Sequence, residues 1–136
     1  MKKWILFFLI FFETFSKHLY IFIYLFNEKI KIKIKGPGLV NIIFNGFYQL
    51  PDRIYNSRNE LITERQYQIT IDNLEETIIM EWDNKLTSLY KMFLQLENII
   101  EIDFSQFDSS IVTEMSQMFE GCSNVKKIDF TNFQTS

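Results

Sequence analysis

The apolar positions of this chain change their spacing three times. Trp4 to Phe12 are nine consecutive apolar residues behind Lys2 and Lys3, and a second apolar run covers Leu19 to Phe26. From Lys29 to Lys35 the pattern becomes strict alternation, with Ile30, Ile32 and Ile34 set between four lysines. A period of two predicts a strand with one apolar and one basic face. Gly36-Pro37-Gly38 ends it, and Val40 to Phe44 begins the next. Gly46 and Pro51-Asp52 mark further turns; Tyr67, Ile69 and Ile71 alternate again; Asp72-Asn73 turns; and Thr77 to Trp82 resumes a strand. Residues 27–82 therefore read as a small β-rich module. Its lysine row reads as a solvated face or a guarded sheet edge, and Tyr48, Tyr55 and Tyr67 read as core or rim positions.

From residue 83 onward the chain repeats itself. At a constant offset of 26, Thr87 falls on Thr113, Met92-Phe93 on Met118-Phe119 and Asn98 on Asn124. Ile102-Asp103-Phe104 falls on Ile128-Asp129-Phe130, and Phe107 on Phe133. Substitutions between the copies keep side-chain type, as in Ile99 for Val125 and Ser105 for Thr131. Leu96 faces Cys122, which marks that cysteine as a small buried hydrophobe rather than a reactive group. Within each copy, Thr87 or Thr113 is expected to cap a short helical turn reaching Met92-Phe93 or Met118-Phe119. Ile99, Ile102 and Phe104, and likewise Val125, Ile128 and Phe130, then form a strand. Successive strands would stack in parallel, each copy burying its neighbour's apolar face.

The stretches Leu86–Ser110 and Val112–Ser136 resemble the BspA-like leucine-rich repeats of the surface-protein family known by the DUF285 repeat. The second copy carries the motif in Val112-Thr113, Met115, Met118-Phe119, Cys122, Asp129-Phe130-Thr131-Asn132-Phe133 and Thr135-Ser136. The first departs from it with Leu86, Leu89, Tyr90 and Leu96 at the matching Val, Met and Cys positions and Ser109 for Thr. The chain looks like a truncated, ciliate- or protist-like member, with the β-rich lead-in that often precedes such repeats in ciliates. The resemblance implies surface display, adhesion or protein binding, and no enzyme chemistry. The expected fold is α+β, a short leucine-rich-repeat-type solenoid with a helical turn and a strand per repeat. Its parts would be a leader (1–26), a β-rich cap module (27–82) and two repeats (83–136, as 86–111 and 112–136). With no capping segment after Ser136, end-to-end self-association through the last repeat is a further expectation.

Composition narrows the functional classes. Fourteen basic against 17 acidic residues give a net charge of −3, the wrong sign for an electrostatic nucleic-acid binder. One cysteine and one histidine assemble neither a disulfide framework nor a structural zinc site. Fifteen phenylalanines beside no alanine point to AT-rich codon usage, so aromatic content is discounted as a signal. The charged start and nine-residue apolar run match a secretory signal peptide, and residues 4–26 together are long enough for a membrane anchor. Glu13, Lys17 and His18 would then lie in the membrane, which favours the signal. Stacked Asp103 and Asp129 are too few oxygen ligands for calcium. Phosphate-loop and nucleophile motifs are absent. No catalytic, cofactor or metal residue is therefore assigned. The expected function is a secreted or surface-displayed module recognising a protein through its exposed strand face, with Glu101, Asp103, Lys127 and Asp129 as contact candidates. The alternative is a single-pass membrane-anchored structural chain with no ligand of its own.

Overall fold

The computed structural model describes residues 27–134. The signal or anchor reading of residues 4–26 lies outside them. Eight strands follow one another: β1 Glu28–Lys35, β2 Gly38–Asn41, β3 Arg53–Tyr55, β4 Leu61–Thr63, β5 Gln68–Ile71, β6 Glu75–Trp82, β7 Ile99–Asp103 and β8 Lys127–Asp129. Six form a sheet in the order β4-β3-β6-β1-β7-β8, and β2 pairs with β5 in a second, two-stranded sheet. Every pairing is antiparallel except β7 with β8.

The alternating isoleucines of β1 explain its central place. Ile30, Ile32 and Ile34 are buried, and their partners Met80 and Ile78 on β6 and Ile102 and Ile99 on β7 are buried with them. The core continues through Leu86, Leu89, Met92 and Phe93 to Phe104 and Phe107. One sheet thus runs unbroken from the N-terminal strands into the first repeat. β1 is an interior strand, so its lysine row is a solvated face and not a guarded edge.

The expected α+β class, with a helical turn in each repeat, is overturned. Among the described residues there is no helix, and the principal layer is a mixed sheet. The physical reason lies in how the backbone amides of residues 89–96 are used. Met92, Leu94 and Leu96 donate to the carbonyls three residues back, as in successive tight turns. The alternate amides of Leu89, Lys91, Phe93 and Gln95 instead donate to the Glu114, Ser116, Met118 and Glu120 carbonyls of the next copy at 2.7–3.2 Å. An α-helix would use the amides beyond its first turn, Phe93 and Gln95 among them, on its own carbonyls. Lys91 and Gln95 also sit at φ 60° and 58°, in the left-handed region that breaks a helix.

The same conformation recurs at Gln117 (φ 56°) and at Gly121 (φ 76°), which stands where the first copy has Gln95. A Cβ on Gly121 would also lie 3.2 Å from the Gln95 Cα. Gly121→Ala should therefore lose about 1–2 kcal/mol in urea denaturation, since an L-residue pays about that much in the left-handed region. Gln95→Gly should lose nothing comparable. Equal stability of Gly121→Ala and the parent would contradict this account of the turn.

Stacking keeps the offset of 26. Glu101 pairs with Lys127, Ile102 with Ile128 and Asp103 with Asp129. Asn98 Nδ2 donates to the Asn41 carbonyl and Asn124 Nδ2 to the Glu97 carbonyl, both at 2.8 Å. The N-terminal segment thus stands against the first copy as the first stands against the second. Phe44 N–H on the Met92 carbonyl and Lys35 N–H on the Asn98 carbonyl complete this seal.

Candidate functional site: the outer face of the six-stranded sheet

Alternation in β1, β6, β7 and β8 sends one set of side chains into the core and the other to the solvent face. Strand register then arranges the solvent set in rows across the sheet. One row runs Thr77, Lys33, Glu101, Lys127, and the next runs Ile79, Lys31, Asp103, Asp129. All of these but Ile79 line a shallow depression of about 170 Å³. All four residues singled out in the sequence, Glu101, Asp103, Lys127 and Asp129, are brought together there. Lys31 and Lys33 join them from a strand far away in sequence. Their lysine alternation was visible, but their neighbours became so only through the antiparallel β1–β7 pairing.

The charges are ordered to different degrees. Lys33 Nζ lies 2.7 Å from Glu75 and 3.8 Å from Glu101, and Lys31 Nζ lies 3.7 Å from Asp103. The Glu75 hydrogen bond raises the Lys33 pKa, and the same bond lowers that of Glu75. Lys127 makes no ion pair among the described residues. Asp103 accepts the Ser105 amide at 2.8 Å and Asp129 the Thr131 amide at 2.9 Å, as Asx turns at the strand exits. Burial works against the Asp103 charge, but the Ser105 hydrogen bonds and Lys31 outweigh it and hold the carboxyl below its usual range. The Thr131 hydroxyl and amide do the same for Asp129. Both aspartates are thus fixed, ionised acceptors rather than proton carriers.

A further row closes this face at the β1 end, where Arg53, Lys29 and Asn27 converge on the buried Glu81. The remaining reactive side chain, Cys122, is half-buried and donates its thiol to the Phe93 carbonyl at 2.9 Å. Burial raises its pKa, which keeps it a thiol. Among the described residues no three His, Cys, Asp or Glu side chains are grouped to hold a metal ion. No helix among them is long and apolar enough to cross a membrane. What the face offers chemically is charge of both signs, arranged in rows across one sheet surface.

The family model described as "Mycoplasma protein of unknown function, DUF285" matches residues 64–136. No curated protein and no solved structure matches the chain.

Proposed function

The chain belongs to the DUF285 family, and from that premise we propose that it is a non-enzymatic recognition module, secreted or displayed at the cell surface, that binds a protein partner through the outer face of its six-stranded sheet. The observation that carries this reading is the pair of charged rows, Lys33–Glu101–Lys127 and Lys31–Asp103–Asp129, side by side on one face. Lys31 and Lys33 hold Asp103 and Glu101 from one side, while Lys127 and Asp129 stand beside them at the open edge. Charges of both signs at set positions give a partner register and orientation more than raw affinity. The likeness of the repeats to BspA-like surface proteins supports the extracellular setting, as does the signal-like apolar run Trp4 to Phe12 behind Lys2 and Lys3.

A photo-crosslinker placed at Lys127 tests the reading on live cells, with a second at Asn59 as control. The Lys127 probe should give a discrete adduct, competed by excess parent chain. A competitor carrying Glu101→Lys, Asp103→Lys, Lys127→Glu and Asp129→Lys should be weaker by about tenfold or more, as for a face that holds the binding hot spot. Equal competition by parent and variant would sink the assignment. Mature protein recovered from the medium or cell surface, rather than from cytosol, tests the location.

A further inference from the structure

A second cavity lies where β6 ends, away from the charged rows. Trp82 closes β6 on the same side as the buried Ile78 and Met80. The cavity beside it, about 350 Å³, shares no lining residue with the depression on the outer face. That volume falls within the roughly 300–1,000 Å³ of small-molecule sites. One wall is drawn from the segment 48–52, which precedes the residues matched by the family model. Arg65, Trp82, Asn84 and Leu86 supply the rest.

The segment 48–52 is pinned along its length. Phe47 N–H meets the Phe44 carbonyl at 2.9 Å, and Arg65 N–H the Pro51 carbonyl at 3.0 Å. Trp82 Nε1–H donates to the Gln49 carbonyl at 2.8 Å, and the Asp83 amide to Asp52 Oδ2 at 2.9 Å. A wall already held in place need not be ordered when a ligand arrives, which favours binding.

The lining chemistry narrows the ligand. Tyr48 presents a ring that is 68% exposed. Neither its hydroxyl nor the Asn84 side-chain amide has a partner among the described residues. Asp52 and Arg65 are the two charged lining residues, and they pair at 3.1 Å. Their charges cancel, which favours a neutral ligand over an anion or a cation. Gln49 Oε1 is buried with no donor among the described residues. A ligand hydroxyl would supply that donor once the amide turned toward the cavity. An aromatic face beside side chains that both donate and accept suits a molecule with an apolar C–H face edged by hydroxyls.

We propose that the cavity between the segment 48–52 and the exit of β6 binds a neutral pyranose ring, stacked on Tyr48 and hydrogen-bonded by Asp52, Arg65 and Asn84. This site is distinct from the charged face, so either can fail without the other.

The probes are methyl β-galactopyranoside and methyl β-glucopyranoside, titrated into the isotope-labelled full chain and followed by NMR. Mannitol, a polyol without a ring, is the control. At least one glycoside should shift the Trp82 indole N–H and the Tyr48 and Asn84 amides along one saturable curve, and mannitol should not. Tyr48→Ala should weaken binding roughly tenfold, the scale of one aromatic contact. Its urea unfolding curve should match the parent, because the ring is mostly in water. Tyr48→Phe keeps the ring and should bind more tightly than Tyr48→Ala. Failure of both glycosides, equal shifts with mannitol, or undiminished binding by Tyr48→Ala would each overturn the proposal. Inorganic phosphate or choline moving the same signals in their place would overturn it too.

Discussion

Replacing Phe104 by Ala should destabilise the chain by about 3–5 kcal/mol, the range for a fully buried phenylalanine whose site cannot collapse. Its ring is completely buried and stands at the meeting point of both copies. It stacks on Phe130 at 5.5 Å with the planes 4° apart. Phe107 and Phe133 meet it edge-on at 5.8 and 5.4 Å, and Phe93 and Phe119 do so at 6.4 and 6.3 Å. Removing the ring therefore opens a cavity among five others and loosens the second copy from the first. Phe130→Ala, at the equivalent position, should cost only about 1 kcal/mol, because that ring is 43% exposed and already keeps one side in water. Urea denaturation of the two variants reads the contrast directly. Equal losses would mean that burial in the first copy does not depend on cover by the second.

That contrast also marks what could be read from the residues alone. Phe104 and Phe130 occupy the same repeat position, and the offset of 26 that relates them holds in the pairing of β7 with β8. β1, β5 and β6 follow from alternation, since a buried face repeats every second residue. β3 and β4 were hidden, being three residues each, with little alternation to see. The helical reading of residues 87–93 failed for a different reason. The apolar spacing Leu89, Met92, Phe93 and Leu96 suits a helix equally well as a string of turns. What decides between them is where alternate amides point, and that is settled by a neighbouring copy and not by local pattern.

The charged face was half legible for a related reason. Glu101, Asp103, Lys127 and Asp129 follow from stacking the copies, and the local bonds of Asp103 to Ser105 and Asp129 to Thr131 follow from their spacing. That Lys31 and Lys33 complete the same rows depends on β1 lying antiparallel to β7. No short-range pattern carries that pairing. The resulting sheet joins two stretches that read separately as a cap and a repeat.

The second large effect is expected at Glu81, whose side chain is 2% exposed and carries a full charge. Arg53 Nε holds one of its oxygens at 2.9 Å, while Asn27 Nδ2 at 2.9 Å and Lys29 Nζ at 3.3 Å hold the other. Burial opposes this carboxylate, but its bonds to Arg53 and Asn27 and the nearby positive charges prevail, so its pKa lies below the ordinary value. Arg53→Met removes the strongest of those partners and leaves a buried charge with one oxygen unsatisfied. The expected loss is about 3 kcal/mol at pH 7, at the lower end for a broken buried pair because Asn27 and Lys29 remain. The sign with pH follows from the lowered pKa. In the parent, the carboxylate stabilises the fold above its unfolded pKa, and this contribution fades as pH falls through the lower folded pKa. In Arg53→Met the same carboxyl is dominated by burial, takes up its proton at higher pH and then has no charge left to strand. The gap between parent and variant should therefore narrow steadily from neutral pH toward about pH 3. A gap that stays constant over that range would show that Arg53 supports the sheet by packing rather than by holding the Glu81 charge.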